Sequence, residues 1–188
     1  MVAAKVQARF TEVEYLALEA VAETRHEYCG GDIHGMAGAE LRHNQVAQNV
    51  KTDLSVALSG RPCHVVGSDQ RVKVEATSEY FYPDGVMTCL EPLLVEPPPR
   101  SLLNPQVLVE VLSPSTEARD RGAKWLAYQT IPTLTDFLLV STDTRRVEHY
   151  RRNSDGTWTY TDARAGRVVL TNGVALDVAD AYRMTDVP

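Results

Sequence analysis

The order of apolar patterns predicts an α/β fold: a helix, three strands, a second helix and a further strand. Three observations carry that expectation. From Glu40 to Ser59 the apolar residues Leu41, Val46, Ala47, Val50, Leu54, Ala57 and Leu58 recur at helical spacing, with Gly60 where a C-cap belongs. Gln106 to Leu112 is a nearly unbroken apolar run, the mark of a strand covered on both faces. A helical stretch, Glu117 to Thr130, separates it from a second apolar strand at Asp136 to Ser141, so the passage reads as a right-handed parallel crossover.

The remaining elements follow in order. Thr11 and Glu14 have capping-box spacing, and Val13, Leu16, Ala17, Ala20 and Val21 suit the inner face of a short helix. Gly30-Gly31, inside Arg25 to His34, reads as a hairpin turn. Pro62 bars continuation of the long helix. His64 to Val74 reads as one strand with a face in water, because Gln70, Lys73 and Glu75 alternate with Val72 and Val74. Glu79 to Leu90 reads as a more central strand interrupted at Pro83, which cannot donate to a ladder and so marks an edge, a bulge or a strand start. Pro92 and Pro97-Pro98-Pro99 indicate a stiff exposed loop. Ser113 to Thr116 forms a turn, Ala123, Leu126 and Ala127 are the core contacts expected of the next helix, and Pro132 ends it. Asn153 to Gly156 and Thr171-Asn172-Gly173 mark two C-terminal hairpins, and Asp177 to Arg183 a closing helical turn. With no internal repeat and no composition break, residues 1–188 read as one domain.

Composition narrows the function. Hydrophobic residues at 44% and charged residues at 23% are ordinary for a globular chain and argue against disorder. No apolar run approaches the roughly 20 residues that span a bilayer, and Met1 to Phe10 lacks the apolar core of a signal peptide. Cys29, Cys63 and Cys89 are odd in number, widely spaced and without a CxxC pair; this argues against a disulfide framework or zinc site and favours a reducing cytoplasm. The formal charge of −6 weighs against a broadly basic nucleic-acid binder. Basic residues cluster locally at Arg119, Arg121 and Lys124, and at Arg145, Arg146, Arg151 and Arg152. An acidic centre is compatible with a metal enzyme, since the ion offsets it.

The chemistry concentrates at Tyr82-Pro83-Asp84, Glu110 and Lys124. Asp84 and Glu110, on or beside successive strands, can share a divalent cation, which takes one or two carboxylates with water and phosphate oxygens. Lys124, about two turns into the following helix, can fold back over the strand end and offset charge at a reacting phosphate. Each has a plainer reading: Asp84 as a turn former, Glu110 as half of a structural ion pair, Lys124 as a surface partner of Asp120 four residues earlier. Glu27 and His43 are candidates to support or face the metal. The histidines form no HxH or HExxH pattern, and there is no GxGxxG, phosphate-binding Gly-Lys loop or G-x-S-x-G setting.

These residues stand in an ordered set: Glu14-Tyr15-Leu16, Arg25-His26-Glu27-Tyr28, Gly31-Asp32, Met36-Ala37-Gly38, His43-Asn44 and Gly67-Ser68-Asp69. Tyr82-Pro83-Asp84, Val109 to Thr116, Asp120 to Lys124, Ile131-Pro132 and Asp136 to Val140 complete it. The set, spanning roughly residues 10 to 152, resembles the Uma2 family within the PD-(D/E)XK nuclease superfamily. The resemblance implies a restriction-endonuclease-like αβββαβ core, a mixed central sheet flanked by helices, extended by the N-terminal helix and hairpin and the C-terminal hairpins. It implies Mg²⁺ or Mn²⁺ on Asp84 and Glu110, Glu27 as a further acidic catalytic residue, and DNA as substrate; cutting both strands would favour a homodimer by symmetry. The superfamily's basic pattern has a lysine two residues after the second acid, where this chain has Leu112. It is similar to members whose lysine has moved to the following helix, which designates Lys124. The alternatives are an inactive binding protein on the same fold and a metal enzyme acting on another phosphate ester.

Overall fold

A computed structural model describes residues 9–188. Most of the Met1 to Phe10 stretch considered for a signal peptide lies outside the described residues. The chain runs α1 (Glu12–Glu19), β1 (His26–Cys29), β2 (Asp32–Gly35), α2 (Leu41–Ala57), β3 (His64–Gly67), β4 (Val72–Val74), β5 (Glu79–Phe81), β6 (Gly85–Thr88), β7 (Leu94–Val95), β8 (Ser101–Leu102) and β9 (Val107–Val111). A helical segment follows in three parts: α3 (Glu117–Arg119), a π-helical turn (Asp120–Lys124) and α4 (Trp125–Tyr128). Last come β10 (Asp136–Val140), β11 (Val147–Arg152), β12 (Trp158–Ala163), β13 (Arg167–Val169), β14 (Ala175–Asp177) and α5 (Val178–Ala181).

The central sheet has the order β12-β11-β10-β9-β6-β3. Only β9 and β10 are parallel within it; the other neighbours are antiparallel, so the sheet is mixed as expected. The unbroken apolar run of β9 serves two cores because successive side chains point to opposite faces. Val107, Val109 and Val111 pack with Val46, Val50 and Leu54 of α2, and Val168, Leu170 and Leu176 of the last hairpin join that core. Leu108 and Leu112 pack instead with Ala127, Tyr128, Phe137 and Leu139. Among the described residues no helix is long and apolar enough to cross a membrane.

Two strands expected to be single are divided between sheets. His64 to Val74 breaks after β3, and β4 joins a second sheet of order β2-β1-β5-β4-β8-β7. Glu79 to Leu90 breaks likewise, with β5 in the second sheet and β6 in the central one, so Tyr82-Pro83-Asp84 is the crossing between sheets. A missing N–H at Pro83 costs least there, where no ladder continues. The Gly30-Gly31 turn joins β1 to β2 as expected, both glycines adopting positive φ.

Two helices present faces other than those expected. In α1 the capping box of Thr11 and Glu14 forms, but Tyr15 and Glu19 point inward while Val13 and Val21 are exposed. Glu19 is satisfied there by the Tyr82 hydroxyl at 2.7 Å and the His26 backbone N–H. In the segment after β9, Leu126 and Ala123 face solvent, and Asp120, Lys124, Ala127 and Tyr128 are buried. Ion pairing, described below, makes that polar inner face tenable.

Cys63 and Cys89 form a disulfide, correcting the expectation of unpaired thiols. The antiparallel register of β3 and β6 matches His64 with Thr88, so the residues just beyond are brought opposite each other. Spacing of 26 residues carries no trace of that register.

Candidate active site

The β6–β9 ladder ends at Gly85 paired with Val109. One step further, Asp84 and Glu110 face each other in register, and there the Asp84 side chain takes over from the backbone. The Val111 N–H donates to Asp84 Oδ2 at 2.8 Å. His43, from α2, bonds the Val111 carbonyl oxygen through Nε2 at 2.9 Å, and the same nitrogen stands 3.4 Å from Asp84 Oδ2. Asp84 thus sits where the strands part, with 19% of its side chain open to solvent.

The Glu110 side chain reaches the helical segment. Lys124 Nζ donates to Glu110 Oε1 at 3.1 Å, and the Tyr128 hydroxyl donates to the same oxygen at 2.7 Å. The Lys124 ammonium also lies 2.8 Å from Glu27 Oε1 and 3.1 Å from Asp120 Oδ1. Glu27 reaches in from β1 of the second sheet, accepting from the Tyr82 N–H at 3.2 Å and from Arg119 Nη2 at 2.7 Å. Of the four expected residues, Glu110, Lys124 and Glu27 are in direct contact, and Asp84 stands at the end of the same ladder beside Val111 and His43. Asp120, Tyr128 and Arg119 join them without having been singled out for the site. Asp120 and Lys124 are the two ends of the π-helical turn, a distortion enriched at functional sites.

Lys124 is a member of the buried cluster rather than a surface partner of Asp120; its side chain is 5% exposed. Burial alone would lower the pKa of its ammonium, but the charges of Glu110, Glu27 and Asp120 outweigh that and raise it. Burial pushes the Glu110 carboxyl well above its ordinary range; Lys124 opposes the shift, while Asp120, Asp84 and Glu27 add to it. Burial and the nearby Glu110 charge likewise raise the Tyr128 phenol, keeping it a donor. Burial would lower His43, but Asp84 and the Val111 carbonyl raise it on balance.

Four carboxylates, those of Asp84, Glu110, Glu27 and Asp120, lie near two paired cations, Lys124 and Arg119. Asp120 Oδ1 is buried without an aligned hydrogen bond. Asp84 Oδ1 and Glu110 Oε2 accept none among the described residues. Spare carboxylate oxygens fit a divalent cation. Among the described residues no three His, Cys, Asp or Glu side chains converge as a ready-made cage.

The basic clusters seen in the sequence are largely consumed internally. Arg121 grips Glu148 with two bonds of 2.7 and 2.6 Å, and Arg146 pairs with Asp162 and Glu148. Arg152 donates to the carbonyls of Gln129 and Ile131, and Arg145 to that of Val187.

A helix, three antiparallel strands, a helix and a parallel strand, with acids facing across the second and third strands, define a restriction-endonuclease-like fold. A crystal structure described as "a putative nuclease belonging to DUF820" from Anabaena variabilis shares it, with a TM-score of 0.73 at 16% identity over 92% of this chain and 97% of that one. The chain belongs to the Uma2 family, described as "Putative restriction endonuclease", which matches residues 13–180. Two uncharacterized proteins of Synechocystis are relatives. The protein slr1290 is 34% identical over 170 residues, covering 88% of this chain and 86% of its own length. The protein sll1609 is 34% identical over 152 residues, covering 81% and 86%.

Proposed function

We propose that the protein is a divalent-metal-dependent DNA endonuclease, with Asp84 and Glu110 holding Mg²⁺ or Mn²⁺. The observation that carries the reading is the placement of these two acids at the end of the β6–β9 ladder, each with a spare oxygen, Glu110 being held by a buried lysine. Bound there, a divalent ion supplies polarisation of the phosphate and a more acidic attacking water. The chain's own groups do the rest. Tyr128 and Lys124 fix the rotamer of Glu110, and His43 and the Val111 N–H fix Asp84. The ammonium, kept protonated by its acids, offsets negative charge developing on the phosphate. Glu27 holds that ammonium in place and is itself anchored by Arg119. Cleaving both strands of a duplex favours a two-fold homodimer.

Plasmid nicking with Mg²⁺ or Mn²⁺, abolished by EDTA, is the expected result. Cleavage that survives combined Asp84→Ala and Glu110→Ala substitution rejects the assignment. A second reading, a non-catalytic binding protein on this fold, is favoured by the closure of the lysine cluster, whose side chains are only 2–5% exposed. It predicts no heat of Mn²⁺ binding in calorimetry; saturable micromolar binding excludes it.

A further inference from the structure

β3 is an edge of the central sheet, and its Val65, Val66 and Gly67 line a groove with residues of α2. One face of the helix, Gln48, Lys51, Thr52 and Ser55, forms the wall, and Val66 and Gly67 form the floor. Among the described residues no Asp or Glu lines it, which is notable in a chain of charge −6. Glycine lets the Lys51 side chain lie close against the strands at one end of the groove. A Cβ on Gly67 would stand 2.8 Å from Lys51 Nζ, and one on Gly85 would stand 3.6 Å from Lys51 Cγ. Gly67 and Gly85 are register partners across β3 and β6, and Gly85 directly follows Asp84. The ammonium of Lys51 therefore lies one strand out, roughly 5 Å, from the strand that begins at the candidate metal ligand. The nearby acids have other partners, Asp53 with Arg183 and Asp84 beside His43.

We propose that this groove seats the phosphate backbone of the DNA strand entering the site, with Lys51 as its charged contact and the Thr52 and Ser55 hydroxyls as its hydrogen-bond donors. The proposal rests on the nuclease reading for its substrate. An acid-free, hydroxyl-lined groove with one uncommitted cation fits a phosphodiester chain, which is read through its charge and not its bases. It also supplies the electrostatic footprint that the internally paired arginines do not.

The test is fluorescence anisotropy of labelled duplexes of unrelated sequence, in EDTA, across a salt series. Parent, Lys51→Ala, Lys51→Arg and, as a distant control, Arg167→Ala are compared, each verified as folded by thermal melting. Lys51→Ala should weaken every duplex by a similar factor, on the order of fivefold, and reduce the salt slope by about 1. Lys51→Arg should restore both, and Arg167→Ala should change neither. Unaltered affinity and slope in Lys51→Ala overturn the proposal. So does a dimer that Lys51→Ala converts to monomer with DNA binding intact, because the groove is then a contact between copies. Lysine-dependent binding without metal-dependent cleavage sinks only the nuclease reading. Cleavage with lysine-indifferent binding sinks only the groove.

Discussion

Replacing Lys124 by methionine removes the one ammonium shared by Glu27, Glu110 and Asp120 while keeping most of the stem's volume. Glu27 retains Arg119, but among the described residues Glu110 keeps only the Tyr128 hydroxyl and Asp120 loses the one cation paired with it. Removing one partner from a buried pair costs about 3–5 kcal/mol because the remaining charge is left uncompensated. For a chain of this size that is a fall of about 6–20 °C in Tm, at about 2–4 °C per kcal/mol. The loss should depend on pH. Glu110 already has a folded pKa above the ordinary 4.5, and losing Lys124 raises it further. A group that binds protons more tightly when folded makes stability fall as pH rises from its unfolded pKa through its folded one. The Lys124→Met deficit is therefore smallest near pH 4.5 and grows toward neutrality. Calorimetry across that range, with Lys124→Met/Glu110→Gln as a second variant, reads this directly. Removing the charge at Glu110 should recover about 1–3 kcal/mol. A Lys124→Met protein that melts within about 2 °C of the parent at neutral pH would refute the buried-cluster account.

Three further outcomes are expected. Mn²⁺ at a hundred times its dissociation constant should stabilise the parent by about 2.7 kcal/mol, seen as a rise in melting temperature that Asp84→Ala abolishes. Asp84→Asn, which keeps an acceptor for the Val111 N–H, should lose cleavage with little loss of stability; Asp84→Ala should lose cleavage and about 1–3 kcal/mol as well. Thiol titration of the denatured, unreduced protein should find only Cys29 free, and Cys63→Ser should destabilise by about 3 kcal/mol through the larger unfolded ensemble.

What the sequence made legible was local. The helical spacing of Val46, Val50 and Leu54, the continuous run of β9 and the glycine turns at Gly30-Gly31, Gly156 and Gly173 each depend on neighbours within a few residues, and all appear in the fold. Glu110 stood out as an acid inside an apolar run and Asp84 as one at a strand interruption; in the fold Glu110 shares Lys124 with Glu27, and Asp84 caps the end of the same ladder. Long-range register was not legible. The alternation of Val72 and Val74 suits either sheet, so nothing marked the transfer of β4 and β5 to the second sheet. The pairing of Cys63 with Cys89 depends on the same unseen register. Asp120 and Lys124 read as a surface pair because four-residue spacing is the usual signature of one. Only the neighbouring Glu27 and Glu110 turn that spacing inward, leaving Leu126 exposed.

The handover at the end of the β6–β9 ladder gives the protein a built-in reporter. The Val111 amide proton is held by a side-chain carboxylate instead of a neighbouring strand's carbonyl, so its chemical shift and exchange rate follow whatever Asp84 is doing. One backbone resonance can thus signal a change at Asp84 without a label, a substrate or turnover.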